Sequence, residues 1–204
     1  MFALVDKSDN SITKMLNGNR GITIGENQYP KAIFTLWTES ERNAINIYEV
    51  TIDDSKRKNE EWYVNTNITY SFDGTNATGS YGDATAKAHA DTLFSAQDET
   101  DGLGTEGDVK TRGLKYNLIQ TLKQQVAGEL SKTDWYITRN TEKSTAIPSA
   151  ISTHRDAVRT KQAEMETAIT NATDTPALET LYTYTEQSDG SVTRPLGELP
   201  TLES

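Results

Sequence analysis

The stretch RGLKYNLIQTLKQQVAGELSKTDWYITRNTEKSTAIPSAISTHRDAVRTKQAEMETAITNA, residues 112–172, governs how the rest of the chain is read. Leu114, Leu118, Leu122, Val126 and Leu130 recur at every fourth position, and Ile119 broadens their stripe. That spacing predicts an amphipathic helix over 112–130. Thr133-Asp134-Trp135-Tyr136 interrupts the period and is expected to break the helix. A second helix is predicted from Ser149 to Ala172: Pro148 stands just before it, and Ile151, Val158, Met165 and Ala172 repeat at every seventh position. His154 and Lys161 fall at its other seam positions, so the apolar strip is narrow and suits packing on one neighbour. A helical hairpin is the expectation.

Upstream, residues 83–111 change character. Asp83, Asp91, Asp98, Glu99, Asp101, Glu106 and Asp108 gather around Gly102, Gly104 and Gly107, which reads as an acidic, glycine-containing flexible linker. Ala84–Ala96 has enough Ala, Leu and Phe for a helix.

Residues 1–82 read as a β-rich domain. Phe2–Val5, Ile12–Leu16 and Ile22–Ile24 are short apolar runs separated by Lys7-Ser8-Asp9-Asn10 and Asn17-Gly18, the pattern of a small meander. Thr38 and Glu41 have capping-box spacing, so a short helix should begin there and stop near Asn46, which tolerates the left-handed conformation. Ile47–Ile52 and Trp62–Phe72 alternate as strands. Asp73-Gly74 is a hairpin signal, and the Gly- and Thr-rich return strand Thr75–Tyr81 reads as a weak edge. At the other end, residues 173–204 carry a second hairpin signal at Asp189-Gly190 and an irregular tail with Pro195 and Pro200. The fold class is therefore α+β.

Composition bounds function. A formal net charge of −10 repels phosphate backbones and anionic lipid, so neither a nucleic acid nor a membrane surface is an expected partner. With no cysteine there can be no disulfide, thiolate zinc site or iron–sulfur cluster. No basic-then-apolar leader precedes Val5, and no stretch has the length of a membrane span, so synthesis in the cytoplasm as a soluble protein is expected. An apolar fraction of 34% implies a thin core that leans on partners.

Sites for chemistry are scarce. His89 and His154 stand alone, without the HxxxH or ExxH spacing of metal sites. Asp98-Glu99-Thr100-Asp101-Gly102 lacks the alternating carboxylates of a calcium loop. Gly102-Leu103-Gly104-Thr105-Glu106-Gly107 imitates a phosphate loop, but its acidic flanks would repel phosphate. Asn-x-Thr triplets at Asn67, Asn76 and Asn171 reflect composition. No catalytic residue, metal ligand or cofactor is expected, and the chain is not read as an enzyme. The aromatic and seam residues Trp37, Trp62, Trp135, Tyr136, Arg155, Arg159, Ile151, Val158 and Met165 are the candidate interface.

Two stretches carry a family resemblance. Tyr29–Trp37 with Glu41–Val50 resembles a "P…W…E…GIY.V" segment of small tail-associated proteins of tailed bacteriophages, where Gly usually holds the place of Asn46. Val126–Arg139, followed by Ile147-Pro148 and His154–Arg159, resembles the "L..TDWYV.R…IP..I…R..VR" core of a domain found in tail-fibre and tail-fibre-assembly proteins, including those of marine cyanophages. The resemblance implies a component of the virion tail, baseplate or tail fibre, made in the host cytoplasm, homo-oligomeric and held by other tail or baseplate proteins. An assembly chaperone absent from the mature particle is the second reading, and a carbohydrate-binding module the third. On this resemblance Trp135 and Tyr136 cover the gap between the helices, Asp134 caps the turn, and Arg155 and Arg159 make ionic contacts.

Overall fold

A computed structural model of the chain describes residues 1–202 and divides into two compact units, Met1–Thr85 and the chain from Ala86 onward. Strands and helices are both present, with a β-rich first unit, so the α+β class holds.

In the first unit β1 (Phe2–Asp6) and β2 (Ser11–Leu16) form an antiparallel hairpin, Phe2 opposite Leu16 and Asp6 opposite Ser11. Its turn is tied locally: Asp6 Oδ1 accepts from the Ser8 amide at 2.8 Å, Asp9 Oδ1 from the Ser11 amide at 2.9 Å, and Asn10 takes φ +60°. The expected meander stops there. β3 (Ile22–Ile24) leaves the sheet and pairs with β4 (Asn27–Tyr29) in a hairpin of its own, turning at Gly25. Two short helices follow, α1 (Ile33–Leu36) and α2 (Glu39–Ala44). The Thr38–Glu41 capping box is formed on both sides, and the chain leaves α2 through Asn46 at φ +64°, as the sequence predicts.

β5 (Ile47–Asp53) then pairs antiparallel with β1 and parallel with β8 (Ala77–Ser80), which returns antiparallel from β7 (Thr69–Phe72). The sheet order is β2-β1-β5-β8-β7, and β2 comes close to β7, so the sheet curls on itself. The two-residue strands β6 (Tyr63–Val64) and β9 (Thr85–Ala86) pair where the unit ends, so the expected strand over 62–72 is broken in two. β8 is not the weak edge expected of Thr75–Tyr81. It lies inside the sheet because its residues are small: a Cβ on Gly79 would come within 3.0 Å of Tyr70, Ile52 and Ile68. Alternation along the strands splits the core between two faces. Ala3, Val5, Tyr48, Val50, Phe72 and Ala77 cluster on one, while Phe2, Leu16 and Ile47 meet Ile33 and Phe34 of α1 on the other.

The second unit differs most from expectation in its first 26 residues. Instead of a helix over 84–96 and a linker, it has β10 (Thr92–Leu93), α3 (Ala96–Thr100) and β11 (Val109–Thr111), with β10 and β11 paired. Ala88–Asp91 stays non-helical, bent at His89 and Ala90, because it caps the next helix, α4 (Leu114–Ser131). The Ala88 and His89 carbonyls accept from the Leu114 and Lys115 amides at 3.0 Å each, and Asp91 Oδ1 accepts from the Gly113 amide at 2.8 Å. A second capping box, Ser95 with Asp98, starts α3.

Lys110 donates to Asp98 Oδ1 at 2.6 Å and the Ser95 amide donates to Oδ2, which holds the Asp98 pKa at about 2 against the ordinary 3.8. The folded state binds this proton less readily than the unfolded chain. The linked stability is therefore fully present above pH 3.8 and is lost as the pH falls toward about 2. In an NMR titration Asp98 is expected to titrate near 2, and Lys110→Met to move its midpoint toward 3.8. An unchanged midpoint would remove Lys110 as the cause.

After α4 come α5 (Asp134–Lys143), α6 (Ser149–Asn171), α7 (Thr175–Tyr182) and the hairpin β12 (Thr185–Glu186)–β13 (Val192–Thr193), which turns at Gly190. Two corrections follow. α4 ends just before Thr133, as expected, but a further helix, α5, starts at Asp134, so the hairpin is a three-helix arrangement. α7 was not foreseen; its signal is Asp174, whose carboxylate accepts from the Ala177 amide at 2.8 Å, followed by Pro176 in the first turn. The seam of α6 packs on α4 as its period predicts: Ile151, Val158, Met165 and Ile169 are buried, as are Leu122 and Val126.

Candidate functional site

The joint between α4, α5 and α6 is built from polar groups. Arg155 projects from the seam of α6, and its side chain is only 10% exposed. Its Nη1 donates to the Leu130 carbonyl at 2.8 Å, to Thr133 Oγ1 at 2.7 Å and to Asp134 Oδ1 at 2.8 Å. Leu130 offers one of the carbonyls left over at the end of α4, and Asp134 is the first residue of α5. One guanidinium therefore satisfies the end of one helix and fixes the start of the next. Thr133, 1% exposed, also donates its hydroxyl to the Leu130 carbonyl at 3.0 Å.

Beside this joint lie two more buried ionisable groups. Glu129 Oε1 and His154 Nε2 are 3.3 Å apart, close enough to pair as ions but not aligned for a hydrogen bond. The hydrogen bond from Lys132 holds the Glu129 carboxyl below its ordinary range, against the opposing effect of burial, and His154 adds to the lowering. Next to Glu129 is a cleft of about 460 Å³ lined by Gln125, Lys132, Met165, Arg194 and Glu198. Arg194 is already engaged there by both carboxylate oxygens of Glu198 and by the Gly197 carbonyl.

From the joint, α5 directs its next residues outward. Trp135 is 51% exposed and stacks on Tyr136 with ring centroids 3.9 Å apart. The Arg139 guanidinium lies against both rings, 4.6 Å from the Trp135 centroid and 5.6 Å from that of Tyr136. Ile137 is also exposed. Trp135 therefore does not cover the gap between the helices, as expected; the buried Arg155–Thr133 pair occupies it. The result is an exposed aromatic and cationic surface on a ten-residue helix, and aromatic side chains bury a large area against a partner at low cost in side-chain ordering.

The other candidate residues separate into interior and surface. Ile151, Val158, Met165, Arg155 and Trp62 are buried within their own units, so they hold the fold and cannot meet a partner while it is intact. The narrow strip on α6, expected to pack on one neighbour, is used inside the chain, against α4. Arg159 is exposed and pairs with Asp156 at 3.2 Å, a contact of small energetic weight. Trp37 is half-buried, edge-on to Tyr29 at 5.9 Å. Ile137 and Arg139 lie inside the quoted motif but were not among the candidate interface residues, because without α5 nothing places the Arg139 guanidinium on Trp135.

Among the described residues, no group of three or more His, Asp or Glu is placed to hold a metal ion, and no helix is long and apolar enough to cross a membrane. Compared with protein-family models, with curated proteins and with solved structures, the chain matches none.

Proposed function

We propose that the chain is a structural component of a bacteriophage tail, baseplate or tail fibre that works by burying the aromatic face of α5 against a neighbouring tail protein. One observation carries this reading. The residues behind the TDWY…R resemblance divide into those that build a buried joint, Thr133, Asp134 and Arg155, and those the joint displays, Trp135, Tyr136 and Arg139. A half-exposed Trp packed against Tyr136 and Arg139 is the kind of residue that anchors a binding hot spot.

Trp135→Ala is expected to leave stability within about 1 kcal/mol, because the ring is half in water already. It should weaken retention of the chain by tail particles at least tenfold, about the effect of one aromatic anchor. Mass spectrometry of purified particles carrying either version reads the outcome. Wild-type chain absent from particles but bound to fibre proteins before assembly would assign the chaperone role. Equal retention of both versions would dismiss α5 as the contact. The packing of Tyr136 and Arg139 on Trp135 leaves less ring face for a sugar, which disfavours the carbohydrate-binding reading; a glycan array tests it.

A further inference from the structure

We propose that a cleft in the first unit accepts an extended acidic peptide from a protein partner, added as a strand to the free edge of β2. The cleft, about 490 Å³, lies between the Lys14–Leu16 end of β2, the loop 17–21 and the start of β3. Both strands have a free edge: β2 pairs only with β1, and β3 only with β4. β2 is the outer strand of its sheet and its Lys14–Leu16 end lines the cleft, and an outer strand carries backbone donors and acceptors with no strand partner. An added strand is the occupant that satisfies them.

Side chains define its chemistry. Leu16, Ile22 and Phe34, which pack together on one face of the sheet, give the otherwise polar cleft one apolar side for the side chains of an inserted strand. The rim has two charges, Lys14 and Arg20, and no carboxylate. Both are exposed, and among the described residues neither has an ion-pair partner, although the chain as a whole carries −10. Cations left uncompensated on an acidic protein favour an acidic partner. The loop is held open by close contacts at its ends. Gly18, at φ +68°, leaves room for Phe2 and Phe34, and a Cβ on Gly21 would fall 2.6 Å from the Tyr29 carbonyl oxygen. This site is separate from α5, and its test does not depend on tail particles.

Strand addition takes its affinity largely from main-chain bonds, so a generic probe suffices. The full chain, labelled with nitrogen-15, is titrated with the synthetic peptide Ac-TEVETE-amide and, separately, with Ac-TKVKTK-amide. The expected result is amide shifts confined to β2, the loop 17–21 and β3, with the acidic peptide bound about tenfold more tightly than the basic one. The Lys14→Glu/Arg20→Glu variant, whose changes sit on exposed unpaired side chains, should reverse that preference and keep the wild-type spectrum elsewhere. Several outcomes overturn the proposal: no shifts with either peptide, equal shifts with both, inorganic phosphate reproducing the pattern, or the same shifts arising from protein concentration alone. The last two would assign the cleft to a small anion or to a second copy of the chain.

Discussion

Arg155→Ala is expected to lower the unfolding free energy of the second unit by about 2 kcal/mol, the cost of leaving the buried Thr133 hydroxyl without its donor. Of the three acceptors, Asp134 contributes least, since its side chain is 60% exposed and water can replace the guanidinium. The loss is concentrated at the buried Thr133 Oγ1, because the Leu130 carbonyl keeps the Thr133 amide at 3.1 Å and hydroxyl at 3.0 Å as donors. Asp134→Asn should therefore cost less than about 1 kcal/mol. Arg155→Lys keeps the charge but replaces a planar fork with a single ammonium, and should fall between the two. Urea denaturation of the four proteins gives the order directly. If Asp134→Asn cost as much as Arg155→Ala, the joint would be an ion pair rather than a buried hydrogen-bond network.

Gly113→Ala is expected to cost on the order of 3 kcal/mol, at the upper end for an overpacked site. The position has no need of glycine for backbone reasons, since its φ is −84°. The added methyl would lie 2.3 Å from both the carbonyl carbon and oxygen of Ala90, backbone atoms that cannot swing aside. To admit it, Ala88–Asp91 must move off the start of α4, releasing the Leu114, Lys115 and Gly113 amides it satisfies. Gly128→Ala, in the same helix, supplies the opposite sign. Nothing lies within 4 Å of its added methyl, so alanine should raise stability by about 0.5–1 kcal/mol through helix propensity alone. Thermal melts of the two variants should move in opposite directions; a harmless Gly113→Ala would mean that the capping segment is dispensable.

What the sequence made legible follows from how local each signal is. The Thr38–Glu41 cap, the turn at Asn46 and the Asp73-Gly74 hairpin are decided within a few residues, and each forms as read. The α6 seam is legible because its period runs through 23 residues. β8 was misplaced because a glycine-rich strand looks weak until the side chains that close over it, Tyr70 and Ile52, are known. Ala88–Asp91 has helix-forming alanines, but its carbonyls are taken by amides more than twenty residues away. α5 hid behind its own start: Thr133-Asp134 reads as a stop until a residue from α6 ties both sides together. At the candidate surface, Trp135 and Tyr136 were visible by residue type, but which of the named residues face water was set by the packing of α4 on α6.

The Thr175 hydroxyl donates to the Lys87 carbonyl at 2.6 Å, across 88 positions of chain. A ribosome makes the N-terminal part first, so residues 87–91 leave the exit tunnel long before α7 exists to anchor Lys87. During translation the segment that caps α4 must wait, untied, for its partner on α7, and a nascent chain stalled before Thr175 would hold it through the α4 amides alone.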